Sequence, residues 1–130
     1  MYSKTTHDIR VTVVPAFLES QSEPQEHHYV WSYTITIANE GPQTVRLLSR
    51  HWIITDGFGR VQEVRGPGVV GEQPLLGPGQ AFEYTSGVPL ATPTGMMVGS
   101  YRMTSTAGMD FDIAVPAFSL DSPYFAPLTQ

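Results

Sequence analysis

There is no cysteine in this 130-residue chain. Disulfides and thiolate metal sites are therefore excluded, and a reducing compartment is expected. Lysine is nearly absent too: Lys4 stands alone among seven basic residues, against twelve acidic ones, for a net charge of −5. A general nucleic-acid binder rests its affinity on many phosphate contacts, so this balance argues against one. No apolar run is long enough to cross a bilayer as a helix. Met1 to Asp8 lacks the apolar core of a secretion signal. These lacks predict a cytoplasmic protein with neither nucleic acid nor membrane as partner. Helical periodicity is missing as well, because no stretch combines a 3.6-residue period with capping residues.

What the chain does hold is alternation. The length suits one domain, residues 1–130, around one core. Tyr29, Trp31, Tyr33, Ile35 and Ile37 alternate with His28, Ser32, Thr34 and Thr36, the pattern of a half-buried strand. The same reading predicts strands over 8–18, 28–39, 44–55, 60–64, 81–86, 96–106 and 109–120, with a polar, mobile loop over 19–25. Within 44–55 the apolar phase switches between Leu47 and Trp52, so a bulge is expected near Leu48 to Arg50. Seven strands with frequent turns predict an all-β fold: an antiparallel seven-stranded β-sandwich of the fibronectin type III or immunoglobulin-like kind. Val14-Pro15-Ala16-Phe17 recurs as Val115-Pro116-Ala117-Phe118. Proline cannot donate a ladder hydrogen bond, so Pro15 and Pro116 are expected at sheet edges. The apolar end, Ser122 to Leu128, is expected to pack.

Five of the twelve glycines lie between Gly66 and Gly79. Gly66-x-Gly68-x-x-Gly71 matches a dinucleotide fingerprint only in spacing. Pro74 and Gly77-Pro78-Gly79 break the helix that the fingerprint needs. Two readings remain: a long loop whose Gly and Pro set turns, or glycine amides forming a concave anion nest. Arg46, Arg50, Arg60 and Arg65 fall within twenty positions, with His51 among them. A diphosphate could then meet the amides of Gly66, Gly68 and Gly71 together with Arg60 and Arg65. Arg102, distant in sequence, is expected to take no part.

Other chemistry finds no support. His27 and His28 are neighbours on an extended chain and face opposite ways. Asp110 and Asp112 share a face but are too few for a cation cage. No metal site, cofactor or catalytic residue is assigned, since Ser49-Arg50-His51 are consecutive and cannot form a triad.

Several segments resemble the bacterial ApaG family. They are the first strand, Tyr33 to Asn39, Leu47 to Asp56 with Arg50-His51-Trp52, Glu63 to Pro74, Gly77-Pro78-Gly79, and Gly95-Met96-Met97 with Gly99 and Tyr101. The resemblance covers nearly the whole chain and implies a single ApaG domain with a fibronectin type III-like sandwich. It implies no catalytic residue. Related domains look like protein-interaction modules, and the glycine block is associated with pyrophosphate. The expected function is a non-enzymatic module with a protein partner, a homodimer remaining open. The alternative is weak binding of pyrophosphate, ATP or diadenosine tetraphosphate through Gly66 to Gly71.

Overall fold

Alternation of apolar and polar side chains puts one face of each strand indoors, and two such sheets close on each other. The computed structural model describes residues 1–124. Its strands are β1 (Tyr2–Thr6), β2 (Ile9–Phe17), β3 (Tyr29–Asn39), β4 (Val45–Asp56), β5 (Val61–Pro67), β6 (Leu75–Leu76), β7 (Ala81–Leu90), β8 (Gly95–Ser105) and β9 (Asp110–Leu120). One sheet has the order β1-β2-β3-β7; the other has β5-β4-β8-β9, with β6 also paired to β4. All pairings are antiparallel. Among the described residues no helix is long and apolar enough to cross a membrane.

The core lies between the sheets. Trp31, Tyr33, Ile35 and Ile37 of β3 are all buried, as their alternation predicts. Opposite them stand Leu47 and Trp52 of β4, Met97, Tyr101 and Met103 of β8, and Ile113 and Val115 of β9. Fully burying each large apolar side chain contributes roughly 1.5–3 kcal/mol.

All seven expected strands are present, and two short ones join them. Tyr2–Thr6 carries no apolar alternation, so the sequence pattern missed it. Ladder bonds to β2 hold it, and a turn at His7 and Asp8, with φ of 49° and 63°, joins the two. Two-residue β6 is too short for any pattern to register. β7 runs on to Leu90, four residues past the expected end. From sequence alone, Pro89 to Thr94 reads as a loop.

The bulge is where the phase change placed it. Register against β8 shifts between Leu47 and Ser49, leaving Leu48 as the extra residue. Pro15 pairs only with β3, beyond the end of β1, and Pro116 lies on edge strand β9 where its register against β8 shifts. Both prolines therefore stand at edges. Residues 19–25 connect β2 to β3 as an exposed segment with some local order. They form single 3₁₀ turns at Glu19–Gln21 and Pro24–Glu26, and the Ser22 hydroxyl donates to the Leu18 carbonyl at 2.8 Å. Of the end expected to pack, the Ser122 hydroxyl donates to the Pro93 carbonyl at 2.7 Å and the Tyr124 ring lies 5.9 Å from Phe17, but Pro123 and Tyr124 stay exposed. The rest of the expected packing end, from Phe125, lies outside the described residues.

Candidate functional site

The glycine stretch interrupts an edge. β6 pairs with β4 at Val45 and Arg46, and β5 pairs with it from Ser49 to Thr55. Between them the chain leaves β4 at the Leu48 bulge and returns. Gly68 N–H donates to the Leu48 carbonyl at 2.9 Å, and Gln73 Nε2 donates to the same oxygen at 2.8 Å. Val69 is buried and plugs the excursion into the core. Val69 and Glu72 exchange both backbone bonds, at 2.8 and 2.9 Å, around a turn at Val70 and Gly71 with φ of 43° and 80°. Positive φ at both central positions is the tight hairpin geometry.

The amides follow from this path. Antiparallel ladders alternate bonded and non-bonded pairs. Asp56 N–H bonds Arg60 at one end of the β4–β5 pair, and Gly68 N–H bonds Leu48 at the other. The even-numbered residues of β5 therefore face β4, and the Gly66 amide belongs to the ladder. Gly66 and Gly68 direct their amides into β4, while Gly71 sits at the tip of the turn.

Gly66 has a second role. The Arg50 guanidinium lies across it, so that a Cβ there would come within 2.9 Å of both Nη atoms. Arg50 Nη1 donates to the carbonyls of Pro67 and Gly68 at 2.9 and 3.1 Å. Arg50 shares its face of β4 with Trp52 and Ile54 and is half-buried. Among the described residues no carboxylate lies within ion-pair distance of it.

The other expected site residues separate. Arg60 lies at the far end of β5, with Nε 2.7 Å from Asp56 and its guanidinium over the Phe58 ring. Arg65 and Gly66 instead help line an open depression of about 480 Å³, together with Ser49, His51, Ser100 and Arg102. His51 stands between Arg65 and Ser100 across the strands, and Ser49 stands beside Arg102. Arg102, expected to lie apart, thus belongs with Arg65: sequence distance hides neighbours on antiparallel strands. Glu63 meets His51 Nε2 at 3.0 Å and Arg65 at 3.5 Å, and Asp112 meets Arg102 at 3.3 Å. The hydrogen bond from His51 holds the Glu63 carboxyl below its ordinary range, with the Arg65 charge assisting and desolvation opposing. His51 therefore faces a carboxylate and not a serine hydroxyl.

A second feature lies on the open side of the sandwich. β5 and β7 are both edge strands there. A cleft of about 280 Å³ runs between them, with Tyr33, Trp52, Val64 and Val88 in its lining and Arg50 among them. The free edge of β7 can be read residue by residue. Asn39 N–H bonds the Gln80 carbonyl, and Leu18 N–H bonds the Val30 carbonyl. Odd residues of β3 therefore bond β7, and even ones bond β2. In β7 the register then turns Ala81, Glu83, Thr85, Gly87 and Pro89 outward. Pro89 has no N–H to offer, which is why a proline fits here. Sequence reasoning overlooked the last part of this edge because Pro89 opens a stretch with a loop signature.

The ApaG domain pattern matches residues 19–105. The chain belongs to the ApaG family. It is 63% identical over 127 residues to Protein ApaG of Paramagnetospirillum magneticum, covering 98% of each chain. Protein ApaG of Rhodospirillum centenum is 62% identical, over 95% of each. A solved Bordetella pertussis structure named as an ApaA protein superposes with a TM-score of 0.88 at 50% identity, covering 91% of this chain and 96% of that one. The ApaG match thus supports the sandwich, and none of these names carries an activity.

Proposed function

We propose that this ApaG-family chain is a non-enzymatic interaction module, and that a protein partner docks on the free edge of β7. One observation carries the reading. Over Ala81 to Gly87 the outward N–H and C=O groups meet no strand, loop or side chain among the described residues. A ten-residue edge left open is a template for another strand. Natural edges are blunted by prolines and charges, and here the one proline, Pro89, stands at the far end and the one charge is Glu83.

Site-specific photo-crosslinking in cells tests it. A photoreactive residue at Glu83 should give a discrete adduct that Thr85→Pro abolishes, while one at Lys4 on β1 should not. Absence of an adduct at Glu83, or an adduct indifferent to Thr85→Pro, sinks the reading.

A second reading rests on the depression beside β5. Two arginines on strands flanking β4 suit a phosphate group. Pyrophosphate titration should then shift the Arg65, Gly66 and Arg102 signals, with about millimolar affinity that salt weakens. Both Arg65→Ala and Arg102→Ala should weaken it, and Arg60→Ala should not. Equal binding by all three would exclude the depression.

A further inference from the structure

The cleft beside the free edge has a chemistry of its own. Its lining is mixed, with Tyr33, Trp52, Val64 and Val88 beside Gln62 and Ser86, and a single charged group stands in it. That group is Arg50. Its Nη1 serves two backbone carbonyls, but its Nη2 and Nε donate to nothing among the described residues. A half-buried guanidinium without a counter-ion is uncommon, because the desolvation of a charge is normally offset by an opposite one. Of the other arginines, Arg10 has Glu40, Arg60 has Asp56, Arg65 has Glu63 and Arg102 has Asp112, while Arg46, also without a carboxylate among the described residues, is exposed and donates to the Gln73 carbonyl.

Two sequence features place Arg50 there. The Leu48 bulge moves the residues after it onto the opposite parity, which turns Arg50 to the inner face with Trp52. Gly66, directly across the ladder, removes the side chain that would block the guanidinium. The cation is thus held in the wall of the cleft, whose other side is lined by Ser86 to Pro89 of β7.

We infer that the β5–β7 cleft receives an extended acidic segment of a partner protein, added antiparallel or parallel to β7, with one carboxylate on Arg50. This rests on the interaction-module reading and names the partner's chemistry. A strand at the usual 4.8 Å spacing from β7 would bond Glu83, Thr85 and Gly87 through the main chain. Its alternate side chains would enter the cleft, the apolar ones toward Trp52 and Val88. An acidic one would meet the unpaired donors of Arg50 in a charge-assisted bond.

Selection from a phage-displayed library of random peptides, panned on the full chain, tests the inference. Enriched peptides should be β-prone with an Asp or Glu at a constant position. In labelled wild-type protein they should shift the amides of Glu83, Thr85 and Gly87 and the Arg50 side-chain signal. Changing the acid to Gln or Asn should weaken binding roughly tenfold. The Arg50→Glu variant, checked for folding, should instead select basic residues at that position. Peptides that shift the β7 amides without an acidic preference overturn the acidic assignment and leave edge docking standing. Peptides that shift other surfaces, or no enrichment at all, overturn both.

Discussion

The hydroxyls of Tyr84 and Tyr101 meet at 2.5 Å between the two sheets. Tyr84 comes from β7 and Tyr101 from β8, so this buried hydrogen bond joins the two layers. Burial pushes both phenols well above their ordinary range, so both remain protonated. Removing one hydroxyl leaves the other without its partner. Tyr84→Phe and Tyr101→Phe should each cost about 1–3 kcal/mol in urea unfolding. The double variant should cost less than the sum. Strict additivity would mean that each hydroxyl has another partner.

Gly68 and Gly71 both hold left-handed backbone, with φ of 61° and 80°. They differ in space. A Cβ at Gly68 would overlap the Glu72 carbonyl oxygen, whereas one at Gly71 would meet nothing. Gly68→Ala should therefore lose more stability than Gly71→Ala, whose loss should be about 1–2 kcal/mol from backbone strain alone. Equal losses in denaturant titrations would remove the steric contribution.

Val70 is a β-branched residue at φ 43°, and its side chain is 55% exposed at the tip of the same turn. Such residues adopt this conformation at a cost. Val70→Asn should raise stability by about 1 kcal/mol, since Asn tolerates left-handed backbone. An unchanged or lowered unfolding midpoint would show that the valine side chain contributes contacts that offset the strain.

Asp56 ties the β4–β5 turn. Its Oδ1 accepts from the amides of Phe58 and Arg60, at 2.9 and 3.0 Å, and its Oδ2 meets Arg60 Nε. Desolvation acts to raise its pKa, but these bonds and the Arg60 charge outweigh it and hold the carboxyl below its ordinary range. A carboxyl depressed in the folded state contributes stability above its unfolded pKa and loses it as pH falls through the folded value. Melting-temperature gaps between wild type and Asp56→Asn should be widest near neutrality and close in acid. A gap constant with pH would assign the loss to geometry and not to charge.

The alternation of Tyr29 to Ile37 was enough to determine β3 and its buried face, because a strand has only two faces and period two assigns them. The phase change between Leu47 and Trp52 likewise located the bulge, since a bulge is the local way to reverse parity. The missing amides of Pro15 and Pro116 indicated edges for the same covalent reason. The full length of β7 was hidden, because Pro89 signals a loop locally and only an edge position makes it harmless in a strand. β1 was hidden too, as Tyr2 to Thr6 is held by pairing with β2 and not by its own pattern. The tertiary structure alone brought Arg102 beside Arg65, carried Arg60 away, and left Arg50 without a carboxylate. Those outcomes depend on which strands become neighbours, and antiparallel pairing joins residues dozens of positions apart without marking them in the sequence.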